Sequence, residues 1–159
     1  MRKGSTTFLK VVVVIIALAV VALCIFVLPM IARAVAGDQT FAKWVYPVLI
    51  GMYISVIPFF VAMFQSIKLL GYIDKNEAFS DMSVKALRVI KYSALTISLV
   101  YTATMPFFFM IGELDDAPGV IVIGMVLVFA SFVVAVFAYV LQNILKSALD
   151  IKSENDLTV

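Results

Sequence analysis

Apolar residues run almost unbroken through four segments of this chain, residues 11–32, 45–70, 92–111 and 119–145, and polar residues gather between them and at the two ends. At about 1.5 Å per residue, each segment as a helix is long enough to cross a hydrocarbon layer of roughly 30 Å. The second and fourth have length left for tilt. The pattern predicts an all-α fold, an integral membrane four-helix bundle forming a single domain over residues 1–159. The connections are short: residues 33–44, a charged stretch at 71–91 and "GELDDAP", followed by a tail at 146–159.

Composition supports the membrane reading. The chain is 64% hydrophobic and 14% charged, with mean hydropathy +1.14, against roughly 45–50% apolar and about 25% charged in soluble domains. There is no histidine and one cysteine, Cys24, inside the first apolar segment. Disulfides and His/Cys metal sites are thereby excluded within one chain, and no cofactor is implied. "MRKGSTTFLK" followed by apolar residues has the outline of a signal peptide. The run at 11–31 exceeds the roughly 7–15 residues of a signal core and matches the roughly 20 of a span, so a retained first span is expected.

Charge sets the expected orientation. Of the 12 Lys and Arg, all but Arg33 and Lys43 lie near the N-terminus (Arg2, Lys3, Lys10), in or beside the middle connection (Lys68, Lys75, Lys85, Arg88, Lys91) or in the tail (Lys146, Lys152). Basic residues beside spans stay on the cytoplasmic side. Both termini and the 71–91 connection are therefore expected in the cytoplasm. Glu113, Asp115 and Asp116 fit the outer side, where they form a solvated loop lacking the ligand spacing of a calcium site. Trp44 and Tyr46, and Tyr72 and Tyr92, fall where interfacial aromatic anchors belong.

Chemistry within the spans is sparse. No ionisable residue lies deep in a segment, which argues against a proton-coupled exchanger. No phosphate loop, nucleophile elbow or paired carboxylates point to an enzyme. Gln65, Gln142 and Asn143 should lie at similar depth. They either bond across helices, each bond contributing about 0.6–2 kcal/mol, or line a polar cavity open to the cytoplasm. The serines and threonines of the third segment read as helix packing or back-bonding. Pro58 falls in mid-span and should kink it, as a hinge or as a static bend. Pro29 and Pro47 lie near outer ends, where a missing donor is expected to matter little.

The charged connection is more explicit. In "AFSDMSV", Ser80 is a good N-cap, Asp81 places negative charge in the first turn, and Phe79 and Val84 sit at the two positions of a hydrophobic staple. A short amphipathic cytoplasmic helix between spans two and three should begin at Asp81. With Met82 at zero, Asp81, Val84, Lys85, Arg88 and Lys91 fall between about 180° and 300°, whereas Met82, Ala86, Leu87, Val89 and Ile90 fall between about 340° and 140°. It either lies on the membrane or stands as an extension of the third span. Ser80, Lys85, Arg88 and Lys91 then form a surface for lipid headgroups, at about 1 kcal/mol per basic residue, or for docking a cytoplasmic protein. It is too weakly basic for nucleic acid. "ILKSALDIK" extends the fourth span with helical spacing, and "SENDLTV" should be flexible unless a partner captures Leu157 and Val159.

"IDKNEAFSDMSVKALRVIKYSAL" and the ending "LQNILKSALDIKSENDLTV", most specifically Phe79-Ser80, Leu87 to Tyr92 and Glu154 to Val159, carry a family resemblance. The chain resembles the bacterial domain-of-unknown-function family numbered 2975, small four-span membrane proteins. That resemblance implies frequent encoding beside a Cro/CI-like helix-turn-helix regulator, and it supplies no catalytic residues. The leading expectation is a non-enzymatic protein that senses a membrane state and tethers or controls such a regulator. The alternatives are a small transporter or channel component and a membrane immunity or stress protein. A second copy of the chain is a further candidate partner beside the lipid bilayer.

Overall fold

The structure, a computed structural model, describes residues 2–158, without the side chains of Arg2, Lys3 and Thr158. The charges of Arg2 and Lys3 and the terminal Val159, which the sequence reading used, lie outside what is described. Among the described residues the regular structure is entirely helical: α1 (Arg2–Ala22), a π turn (Leu23–Val27), α2 (Leu28–Val35), α3 (Gln39–Asp74), α4 (Asp81–Leu114) and α5 (Pro118–Thr158). Four helices among the described residues are long and apolar enough to cross a membrane, Gly4–Val35, Gln39–Asp74, Asp81–Leu114 and Pro118–Leu157.

Local chemistry sets the helix ends. The carboxylate of Asp38 caps α3 by accepting from the backbone N–H of Thr40 at 3.0 Å, and Ser80 caps α4 by accepting from that of Ser83 at 3.3 Å. Both α3 and α4 finish in a left-handed residue, Asn76 and Asp116, with φ of 60° and 49°. These are the side chains that tolerate that region best after glycine. Each closes a Schellman motif: Glu77 N–H donates to the Tyr72 carbonyl at 2.7 Å, and Ala117 N–H to that of Gly112 at 2.8 Å.

The helices outrun the apolar segments. Residues 81–91 are not a separate short helix; they are the first turns of α4, which stands as an extension of the third span. Nothing between Ser80 and Pro106 breaks a helix, so the ladder continues. The apolar face is also rotated from the expected one. Val84, placed on the basic side, is buried with Ser83, Ala86, Leu87 and Ile90, while Met82 is exposed. α4 has neighbours on two sides, which widens and turns its buried arc. Phe79 is 58% exposed, so the staple with Val84 does not bury it. The "SENDLT" stretch, expected to be flexible, is helical as the end of α5, because no Gly or Pro follows Gly124.

α4 is the central helix. α3 and α5 pack along it, while the first span rests chiefly on α3. Small residues set the crossings: a Cβ built on Gly51 would lie 2.7 Å from Thr104 Cγ2, and one on Gly124 2.9 Å from Met105 Sδ and from the Phe108 ring. One cluster joins Leu28 to Val45 and Leu49, and another joins Val48 to Tyr101 and Phe108. Trp44 and Phe107 pack with ring centroids 5.9 Å apart at the end that holds the acidic connection. The opposite, basic end holds the start of α1, the end of α5 and the 75–80 connection.

Candidate functional site: the basic end and an apolar cavity

At the basic end the carboxylate of Asp74, in the last turn of α3, receives two side chains from α1. Lys10 Nζ donates to it at 2.7 Å, and the Thr6 hydroxyl donates to its other oxygen. This clamp holds the first span to the second across 64 residues of sequence. Separation in sequence left it unread, because nothing local to Lys10 or to Asp74 marks the pair.

Lys91 behaves differently from Lys85 and Arg88. The last two are exposed on α4. Lys91 turns inward, where Nζ donates to Gln142 Oε1 at 3.1 Å. It also sits over the rings of Tyr92 and Tyr139, at 4.4 and 5.4 Å from their centroids. The structure thus joins a residue expected on the charged surface to one expected in the intramembrane polar layer. Of the other two in that layer, Asn143 is exposed and Gln65 half-buried. Among the described residues no hydrogen bond joins Gln65 to Gln142 or Asn143. Ser80 donates to the Glu77 carbonyl at 2.7 Å, and the fully buried Ser83 hydroxyl reaches the same carbonyl at 3.3 Å. Ser80 is therefore committed to the turn. Beside it an apolar groove of about 330 Å³ runs between Ile73, Phe79, Leu87, Leu141 and Ile144.

A second feature lies within the bundle. α3 passes through Pro58 as one helix, but the first span contains the π turn. There Leu28 N–H bonds to the Leu23 carbonyl five residues back. In that register the next donor, for the Cys24 carbonyl, would be residue 29, which is proline and has none. The Tyr53 hydroxyl donates to the orphaned oxygen at 2.7 Å. Contrary to the sequence expectation, the donor missing at Pro29 matters, and α3 replaces it. Pro29 was the available signal, since a proline leaves a carbonyl of the preceding turn without its donor. The π register that makes it the Cys24 carbonyl is visible only in the structure.

Next to the π turn is a cavity of about 340 Å³, with walls from all four spans, including Leu23, Leu28, Met52, Phe59, Ile123 and Leu127. Its polar wall is self-contained. Ser55 donates to the Met52 carbonyl at 2.7 Å and pairs with the Tyr101 hydroxyl at 2.9 Å, so the tyrosine supplies the proton between them. The other span serines and threonines mostly bond back to their own helix, as Thr96 does to the Tyr92 carbonyl and Thr102 to that of Ser98. Ser98 instead crosses to the Val128 carbonyl at 3.1 Å.

Four apolar helices packed in this order define a multi-pass helical membrane protein. The chain belongs to the family described as Protein of unknown function (DUF2975), which matches residues 30–159. It is similar to "Uncharacterized membrane protein YoaS" of Bacillus subtilis (strain 168), at 55% identity over 160 residues covering 100% of both chains. No solved structure matches it.

Proposed function

We propose that this protein is a non-enzymatic sensor in the bacterial plasma membrane, with both termini in the cytoplasm, that passes a membrane state to a cytoplasmic helix-turn-helix regulator held at its basic end. The observation that carries this is the length of α5. Its 41 residues make about 60 Å of helix, twice a hydrocarbon core of roughly 30 Å. The surplus projects beyond the bilayer beside the start of α4. In the last turns Ile151 and Leu157 are 67% and 83% exposed. A helix this long carries a change of tilt at mid-membrane out to its end, which gives a bilayer-dependent signal to a bound protein. Lys85 and Arg88 offer the adjoining charged surface. Burial of Gln142 against Lys91, with Asn143 facing outward, favours this reading over a polar transport path.

The test is co-purification from native membranes in mild detergent, comparing the full chain with one lacking residues 152–159. The full chain should retain a small helix-turn-helix protein and the shortened one should lose it. If neither retains a soluble protein, the tethering reading fails.

A further inference from the structure

Three features of the mid-bundle cavity bear on what occupies it. Its wall is aliphatic and aromatic apart from Ser55, Cys24 and Tyr101. The hydroxyls of Ser55 and Tyr101 are bonded to each other, and the Cys24 carbonyl is taken by Tyr53. An occupant therefore needs no polar group of its own, and a water would find too few partners to stay.

The second feature is the opening. The first span and α5 both line the cavity, yet each packs chiefly on a different neighbour, α3 and α4. Leu23 and Ile123, on the two sides of that gap, are 43% and 56% exposed. The gap lies within the spans, so what meets it is lipid hydrocarbon. The third feature is size. A dry cavity of about 150 Å³ takes one benzene ring, so about 340 Å³ accommodates roughly a dozen carbons, enough for a long stretch of one lipid chain.

We infer that this cavity is a lateral binding site for a single acyl chain of a bilayer lipid, entering between the first span and α5 while its headgroup remains at the membrane surface. An empty cavity forfeits the dispersion contacts of every residue lining it, and a chain restores them. The first span can yield to admit the chain because it is held at separate points: the Asp74 clamp, the Tyr53 bond and the Leu28–Val45–Leu49 cluster. Occupancy supplies the sensor reading with the chemical class of its signal and rests on that reading only for its consequence. The binding itself needs no cytoplasmic partner.

The full-length protein is reconstituted in dioleoyl phosphatidylcholine vesicles containing a phosphatidylcholine with a diazirine midway along one chain, then irradiated, and the cross-links are mapped by peptide mass spectrometry. Leu28 and Tyr101 are only 2% and 8% exposed, so a chain reaches them through the cavity alone. Cross-links at Leu28, Met52 and Tyr101 are expected. Val56→Phe, which fills the space, should abolish them while leaving those at the outward-facing Phe129 and Val133. Cross-links confined to outward residues in the unaltered protein would overturn the proposal. So would labelling of the cavity by a photoreactive free prenol but not by the phospholipid. The unaltered protein decides the matter even if Val56→Phe fails to fold. Retention of the regulator is read in the separate co-purification, so one reading can fail without the other.

Discussion

A lysine at a membrane boundary has two places to put its charge, and Lys85 and Lys91, six residues apart on α4, take one each. Lys85 stays in the polar phase. Lys91 sits at the edge of the buried arc, where its amine finds the Gln142 amide oxygen and two tyrosine faces. The residue types announced polar contacts at this depth but not which of them would meet. Gln142 and Asn143 are neighbours in sequence and about 100° apart on the helix, so one is buried and the other exposed. Gln142→Leu should therefore cost about 1–3 kcal/mol, because Lys91 loses its acceptor. Asn143→Leu should stay within about 0.5 kcal/mol. Thermal unfolding in detergent measures both, and equal effects would contradict the pairing.

At the scale of the element, α4 shows how far a sequence can be read. Its start at Asp81 follows from Ser80, and its continuation follows from the absence of a breaker before Pro106. The direction of its buried face does not, because α4 packs on α3 and α5 at once and a single amphipathic axis cannot describe a helix with two partners. Close approach depends on glycine at the α3 crossing, where Thr104 Cγ2 occupies the space that a Gly51 side chain would need. Gly51→Ala should destabilise by about 1–3 kcal/mol, since a β-branched threonine has little freedom to move aside. Adding Thr104→Ser removes the clashing methyl and keeps the hydroxyl that donates to the Tyr101 carbonyl. The double variant should recover most of the loss in the same unfolding assay, a coupling that independent sites would not show.

For the whole molecule, four spans bring the start of α1 and the end of α5 to the same end, the one rich in Lys and Arg. With Cys24 replaced by alanine, Asp156→Cys should react with an impermeant maleimide only in inverted vesicles, and Asp115→Cys only in right-side-out ones. The reverse pattern would overturn the cytoplasmic placement of the termini. Hydropathy alone determined the number of spans, because the bilayer demands about 20 apolar residues wherever a helix crosses it and leaves the same mark in any fold. Capping chemistry likewise determined where α4 begins, since a cap acts within four residues of sequence. The tertiary structure alone decided that Asp74 clamps Lys10, that Tyr53 completes the π turn beside Pro29, and that a cavity opens where the first span and α5 do not close on each other. Each of these joins residues far apart in the chain. Within lipid, nearly every outward face is apolar, so hydrophobic pattern no longer distinguishes a face against a helix from one against hydrocarbon.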